Sequence, residues 1–293
     1  MKSNTPSISI VTPTFNSEKY LEETIQSILS QGVDGLEYII VDGHSTDATH
    51  AIIDRYKSRI SKVIVEKDDG QYDAINKGFR ASSGDIMGWL NSDDVYLPSM
   101  LKVVVSVFEK FPEVEWLTTS KPVITAEGGE IINVVNISGF SRDGFMRGEN
   151  LPGAGWAATS FIQQESTFWR RSLWERAGGG LDLKYRLAGD FDLWARYFQH
   201  AELFILDVPV ACFRLHDDQR SAVGYAAYLS ESKAILSRVG GRPKKSILRK
   251  LSILGRKHRL NFIHRLAVKA GLKTGIPVIR YSTKEKQWIL KRK

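Results

Sequence analysis

Asn91, Ser92, Asp93 and Asp94 follow the apolar run DIMGWL, so two adjacent carboxylates stand where a buried segment ends. Neighbouring acids raise the cost of ionising one another, and either water or a cation must offset that cost. A solvated turn capping the helix beyond Leu97 is the plain alternative to a cation site. Similar positions recur upstream: Thr12, Pro13, Thr14 and Asn16 close one apolar run, Asp42, Gly43 and His44 a second, Asp68 and Asp69 a third. A rim that is acidic at successive strand ends suits phosphate only if a divalent ion lies between. Farther on, Asp190 and Asp192 open the segment GDFDLWARYFQH, where a helix dipole and free N–H groups would stabilise a carboxylate.

The segments around these residues predict the scaffold that must position them. SISIVTPTF reads as a strand and SEKYLEETIQSILS as an amphipathic helix, with Ser17 as its N-cap and Leu21, Ile25, Ile28 and Leu29 on one face. LEYIIVDG is a second strand and STDATHAIIDRYKSR a second helix; KVIVEKD, YDAINKGFRAS and DIMGWLN continue as strand, helix, strand. Such alternation implies right-handed crossovers and a mostly parallel sheet covered on both faces, with ligands at the strands' carboxyl ends. Beyond the helix in LPSMLKVVVSVFEKF, WLTTSKPVITAEGGEIINVV reads as a hairpin turning at Gly128-Gly129. A Gly- and aromatic-rich loop follows, then strands in FIQQESTFWRR and ELFILDVPVACFRLH on either side of the helix that carries Asp190.

The chain has 293 residues, 42% hydrophobic and 25% charged, the balance of an ordinary globular protein. One cysteine, Cys212, excludes an internal disulfide and a Cys-based metal site, and reads as intracellular or indifferent to redox state. MKSNTPSISIV is too short and polar for a secretory signal, and no apolar run reaches membrane-spanning length. The net charge of +8 is unevenly spread: residues 241–293 hold 17 bases and the single acid Glu285, leaving 24 bases and 32 acids before them. The body is therefore −8 and the last part +16.

Taken in order, VTPTFNSEKYLEETIQSIL, IIVDGHSTDAT, DGQYDAINKGFRASSGDIMGWLNSDD, GDFDLW and FRLHDDQRS resemble the inverting family 2 glycosyltransferases of bacterial polysaccharide and lipopolysaccharide synthesis. The resemblance runs from Ser7 to Ser221. It implies an α/β GT-A fold, a Rossmann-like, mostly parallel mixed sheet with helices on both faces, and transfer of a sugar from a nucleotide diphosphate donor, expected to be a UDP-sugar. It implies that Asp190 is the general base, with Asp192 the inferior candidate. Asp94 and His216 are expected at a Mn²⁺ or Mg²⁺ ion that neutralises the leaving diphosphate. Thr12, Pro13, Thr14, Asp42, Asp69, Asp73, Asn91, Asp93, Glu165 and Arg214 are expected on the nucleotide or donor sugar, with Asp42 accepting from the imide of a uracil. Each has a structural alternative, an Asx-turn for Asp42 above all. Asn91 stands where many relatives carry an acid, and Gln164-Glu165 where they carry His-Gln. Trp156 and Trp169 could stack on a sugar, although tryptophan is more often core.

Residues 223–293 are expected to form a basic, amphipathic helical region appended to a catalytic domain of residues 1–222. SILRKLSILGRKHRLNFIHRLAVKAG interleaves Leu and Ile with Lys and Arg, which suits an anionic bilayer surface. Nucleic acid is not expected, because stacking aromatics are scarce there. The resemblance implies an acceptor that is a saccharide or lipid-linked saccharide, met at the cytoplasmic face of the membrane. Two other classes share some features: a noncatalytic nucleotide-sugar or saccharide-binding module, and a metal-dependent nucleotidyltransferase. The latter should carry a glycine-rich phosphate loop after the first strand, where this chain reads TPTFNSEKY.

Overall fold

The computed structural model describes residues 5–137, 139–151, 161–217, 219, 224–243, 262 and 275–292. The chain opens with alternating strands and helices: β1 (Ile8–Thr14), α1 (Leu21–Leu29), β2 (Leu36–Asp42), α2 (Thr49–Tyr56), β3 (Lys62–Val65), α3 (Gln71–Arg80) and β4 (Ile86–Trp89). Then come β5 (Val95–Tyr96), α4 (Met100–Lys110), β6 (Trp116–Thr119), β7 (Val123–Thr125), β8 (Ile131–Val134) and α5 (Arg142–Met146). The remainder holds β9 (Phe168–Arg170), α6 (Arg171–Arg176), α7 (Gly189–His200), β10 (Leu203–Leu206), β11 (Ala211–Arg214), α8 (Tyr225–Arg238), β12 (Pro277–Ser282) and β13 (Gln287–Arg292).

The main sheet runs β13-β12-β10-β6-β9-β4-β1-β2-β3. β1 to β4 are mutually parallel, as are β6, β10 and β12; β9 is antiparallel to both β4 and β6, and β13 to β12. Successive strand residues face opposite sides, which divides the core in two. Ile8, Ile10, Tyr38 and Ile40 pack with α1, α2 and α4; Val11, Ile39 and Val41 pack with α3, α7 and the tryptophans. On the second face Trp89 stacks on Trp194 (ring centroids 6.2 Å apart, 8° between planes), and Trp169 meets both edge-on. Trp169 is fully buried, so it is a core residue and not a sugar platform; Trp156 lies outside the described residues.

Two expected strands are divided differently in space. ELFILDVPVACFRLH breaks at Asp207–Pro209, where proline removes a ladder donor, so β10 joins the main sheet and β11 a small sheet ordered β5-β11-β7-β8. Likewise the hairpin at Gly128-Gly129 is β7–β8, while β6 before it belongs to the main sheet. At the C-terminus, α8 packs on α7 and β12–β13 extends the main sheet. The described part of residues 223–293 is thus built onto the domain of residues 1–222, and residues 277–292 are strands where helix was expected. Val278 and Ile279 are buried beside β10, one in each half of the core, so the apolar start of PVIRYS is covered on both faces. The basic segments 244–261 and 263–274, where amphipathic helices were expected, lie outside the described residues.

Candidate active site

The carboxyl ends of β1 and β4, the start of α3 and the start of α7 enclose one cleft of about 700 Å³. Its lining includes Pro13, Thr14, Phe15 and Asp68, then Asn91, Ser92 and Asp93, and, from α7 and α8, Asp190, Tyr225 and Tyr228. Gln163, Gln164 and Glu165 enter from the turn before β9. The reversed direction of β9 brings its leading residues to the end where the parallel strands finish. The Gln164 amide donates to the Trp89 carbonyl and fastens that turn to β4.

Asp93 and Asp94 point to different places. The Asp93 side chain is 28% exposed and faces the cleft, and its Oδ2 lies 3.0 Å from His216 Nε2. Asp94 is 1% exposed, accepts from the Arg214 backbone N–H at 3.1 Å and from Asn91 Nδ2 at 3.4 Å, and is absent from the cleft wall. Burial, reinforced by the charges of Asp93 and Glu165, holds the Asp94 carboxyl well above the usual carboxylate range. Asp93, and not Asp94, lines the cleft, while a cation bound beside the pair would offset the repulsion that raises Asp94. Among the described residues no group of three or more His, Cys, Asp and Glu is arranged to hold a metal. Asp93 on the cleft wall, with His216 and Asp94 just behind it, fits a Mn²⁺ or Mg²⁺ that takes one or two protein ligands and fills its shell with phosphate and water oxygens.

Other expected residues serve the scaffold. Asp42 is fully buried; its oxygens accept from the Ser45 backbone N–H (2.8 Å) and hydroxyl (2.5 Å) and lie 2.7 Å from His50 Nε2. This is the Asx-type alternative, and it removes Asp42 from the cleft wall. Asp68 occupies the place instead, accepting from the Gly70 N–H at 2.8 Å. Gly43 lets it in, since a Cβ there would lie 2.6 Å from Asp68 Oδ2. Asp69 is exposed, and Asp73 accepts from its N–H while pairing with Lys77 at 3.2 Å; neither lines the cleft. Thr12 is buried under the Tyr38 hydroxyl, 3.2 Å away. Arg214 is 2% exposed, its guanidinium spent on the Asp93 and Glu127 carbonyls and the Glu23 carboxylate. It therefore clasps the Asp93 loop and has no free face for a diphosphate.

Asp190 lies in the first turn of α7 with both oxygens near the Tyr228 hydroxyl, at 3.4 and 3.3 Å. Burial pushes its carboxyl up to about 6, against hydrogen bonds from the Phe191 N–H and Tyr228 that pull it down. Asp192 faces the other way, paired with Arg196 and Arg238. Glu165 is 3% exposed, and burial, with Asp190 and Asp93 adding to it, pushes its carboxyl up to about 8. Thr14 Oγ1, Gln163 Oε1 and Glu165 Oε1 are buried without a protein partner. Each such atom costs about 1–3 kcal/mol unless something polar meets it, so the walls are prepared for a polar ligand. Asp68, Gln71, Gln163 and Tyr228 were not in the expected set. Asp68 was visible as a strand-end acid, Gln71 as its neighbour beyond Gly70, and Gln163 beside the Gln164-Glu165 pair. Tyr228 had no signal in its own segment.

Residues 9–150 match the family described as Glycosyl transferase family 2. An uncharacterized glycosyltransferase, RT0329 of Rickettsia typhi, is 26% identical over 223 residues, 75% of this chain and 68% of that one. The putative teichuronic acid biosynthesis glycosyltransferase TuaG of Bacillus subtilis is 36% identical over 100 residues, 33% of this chain and 40% of its own length. In structure, S. aureus TarS 1–349 in complex with UDP-GlcNAc superposes with a TM-score of 0.61 at 18% identity, covering 91% of this chain and 76% of that one. Glucosyl-3-phosphoglycerate synthase from Mycobacterium tuberculosis, in complex with Mn²⁺, UDP and phosphoglyceric acid, gives 0.54 at 19% identity over 82% and 80%. The fold is GT-A.

Proposed function

Because this chain belongs to glycosyl transferase family 2 and is a glycosyltransferase, we propose that it moves a sugar from a UDP-sugar to a hydroxyl of a saccharide or lipid-linked saccharide in cell-surface polysaccharide synthesis, with inversion. The observation that carries this reading is that Asp93 and Asp190 face a single cleft from different walls. Pro13, Thr14, Phe15 and Asp68 would enclose the base, Asp68 taking the part expected of Asp42. Asn91 and Asp93 would meet the ribose and diphosphate. A bound Mn²⁺ or Mg²⁺, held by Asp93 and His216, would neutralise charge on the leaving diphosphate as a Lewis acid. Glu165 keeps its proton at neutral pH and can donate a hydrogen bond to a donor oxygen. Asp190, ionised above about pH 6, is placed to take the acceptor's hydroxyl proton as that oxygen forms the new glycosidic bond and the nucleotide diphosphate departs.

Support for a uridine donor comes from the UDP and UDP-GlcNAc complexes of the structural neighbours, and for a surface polysaccharide from TuaG. A lipid-linked acceptor also accounts for the excess of 16 positive charges after residue 240, which would hold the enzyme peripherally on an anionic bilayer. No helix among the described residues is long and apolar enough to cross a membrane. A panel of nucleotide sugars scored by thermal shift with and without Mn²⁺ tests the donor. A uridine donor should stabilise the chain more with Mn²⁺, and Asp93→Asn should abolish that increment. Asp190→Asn should keep the donor's shift but lose transfer at least about 100-fold. If no uridine donor stabilises the protein, the donor assignment falls.

A further inference from the structure

Asp190 is carried by a helix whose lead-in segment is held from another element. The N-cap of α7 is Ala188, which has no side-chain acceptor, although free N–H groups at a helix start need partners. The Asp190 carboxylate takes the Phe191 N–H itself, and α8 holds the residues just before the helix. Glu231 accepts from the N–H groups of Arg186, Leu187 and Ala188 at 3.1, 3.0 and 2.8 Å. Tyr228 lies three residues earlier on the same face of α8, with its hydroxyl at both oxygens of Asp190. From the opposite side the Tyr72 hydroxyl of α3 donates to the Leu187 carbonyl. The segment 186–188 is therefore held between α3 and α8, and α8 lies outside the 9–150 region that identifies the family.

We infer that α8 is a positioning element for transfer: Tyr228 aims the Asp190 carboxylate into the cleft, and Glu231 anchors the backbone that carries it. The inference rests on Asp190 being the base. The two residues act on that carboxylate with opposite electrostatic sign. A hydroxyl donating to Asp190 favours its charged form, whereas the negative charge of Glu231 disfavours it. The other groups facing Asp190 are Glu165 before β9, Tyr72 on α3, Arg186 in the anchored segment and Asp93 across the cleft. Asp192, on α7 itself, is neutralised by Arg196 and Arg238.

The test measures kcat/KM for sugar transfer against pH with the full chain and its Tyr228→Phe, Glu231→Gln and Asp190→Asn variants, and donor affinity for each. Tyr228→Phe should move the acid limb up by about half a pH unit, and Glu231→Gln should move it down by a similar amount. Donor affinity should stay unchanged in both. An acid limb that stays in place in both variants, or moves the same way in both, overturns the inference while the base assignment stands. Transfer retained by Asp190→Asn overturns the base assignment and the inference with it. Should Glu231→Gln fail to fold, the direction of the Tyr228→Phe shift decides alone.

Discussion

Glu165 is 3% exposed, has an unpartnered oxygen and is pushed up to about 8 by burial and the acids around it. Its folded value lies above its unfolded one, so the folded chain binds the proton more tightly. Stability is then fully present below about pH 4.5 and is lost as pH rises toward 8. Glu165→Gln keeps the shape and removes the titration. It should be more stable than the parent by roughly a few kcal/mol at pH 8 without added divalent cation, the gap closing toward pH 4.5. Urea midpoints across that range measure it, and a gap independent of pH would refute the account. At this scale, residue types told where chemistry gathers but not which of two neighbours performs it. Asp93 and Asp94 are alike in sequence, yet the backbone turns one toward His216 and the other under Arg214. Asp42 was displaced from the cleft by Ser45, a partner three residues away, and Asp68 by contrast needed the missing Cβ of Gly43.

The elements are set by periodicity, and most were legible for that reason: β1 to β4 and the helices between them follow the alternation of apolar runs and amphipathic stretches. Pairing was not legible, because a strand's pattern records which faces are covered and not which neighbour covers them. Thus β6 and β7 read as one hairpin yet belong to different sheets. Close approach of elements leaves a further mark at Gly78, where α3 lies on β1 and a Cβ would stand 2.4 Å from a Val11 methyl. Gly78→Ala should cost about 1–3 kcal/mol despite alanine's better helix propensity, read as a lower denaturation midpoint. A neutral or stabilising result would mean that α3 can lift from the sheet.

At the scale of the whole chain, an acidic body is followed by basic residues 241–293. The proposed attachment predicts that the chain sediments with vesicles containing anionic lipid at low salt, is released by about 1 M salt, and ignores neutral vesicles. Equal binding to both vesicle types would argue against it. The charge asymmetry was legible from composition. That Pro277–Ser282 and Gln287–Arg292 add two strands to the main sheet was not, since their apolar runs are short and set among basic residues.

The reversed strand β9 has one more consequence. It is inserted between β4 and β6, and the contact between Gln164 and the Trp89 carbonyl joins positions 75 residues apart. Contacts of such long sequence separation are entropically costly to close and form slowly. Closing the cleft therefore carries a large loop-closure cost, and the β1–β4 pairing beneath it, which joins Ile8 to Ile86, carries a similar one.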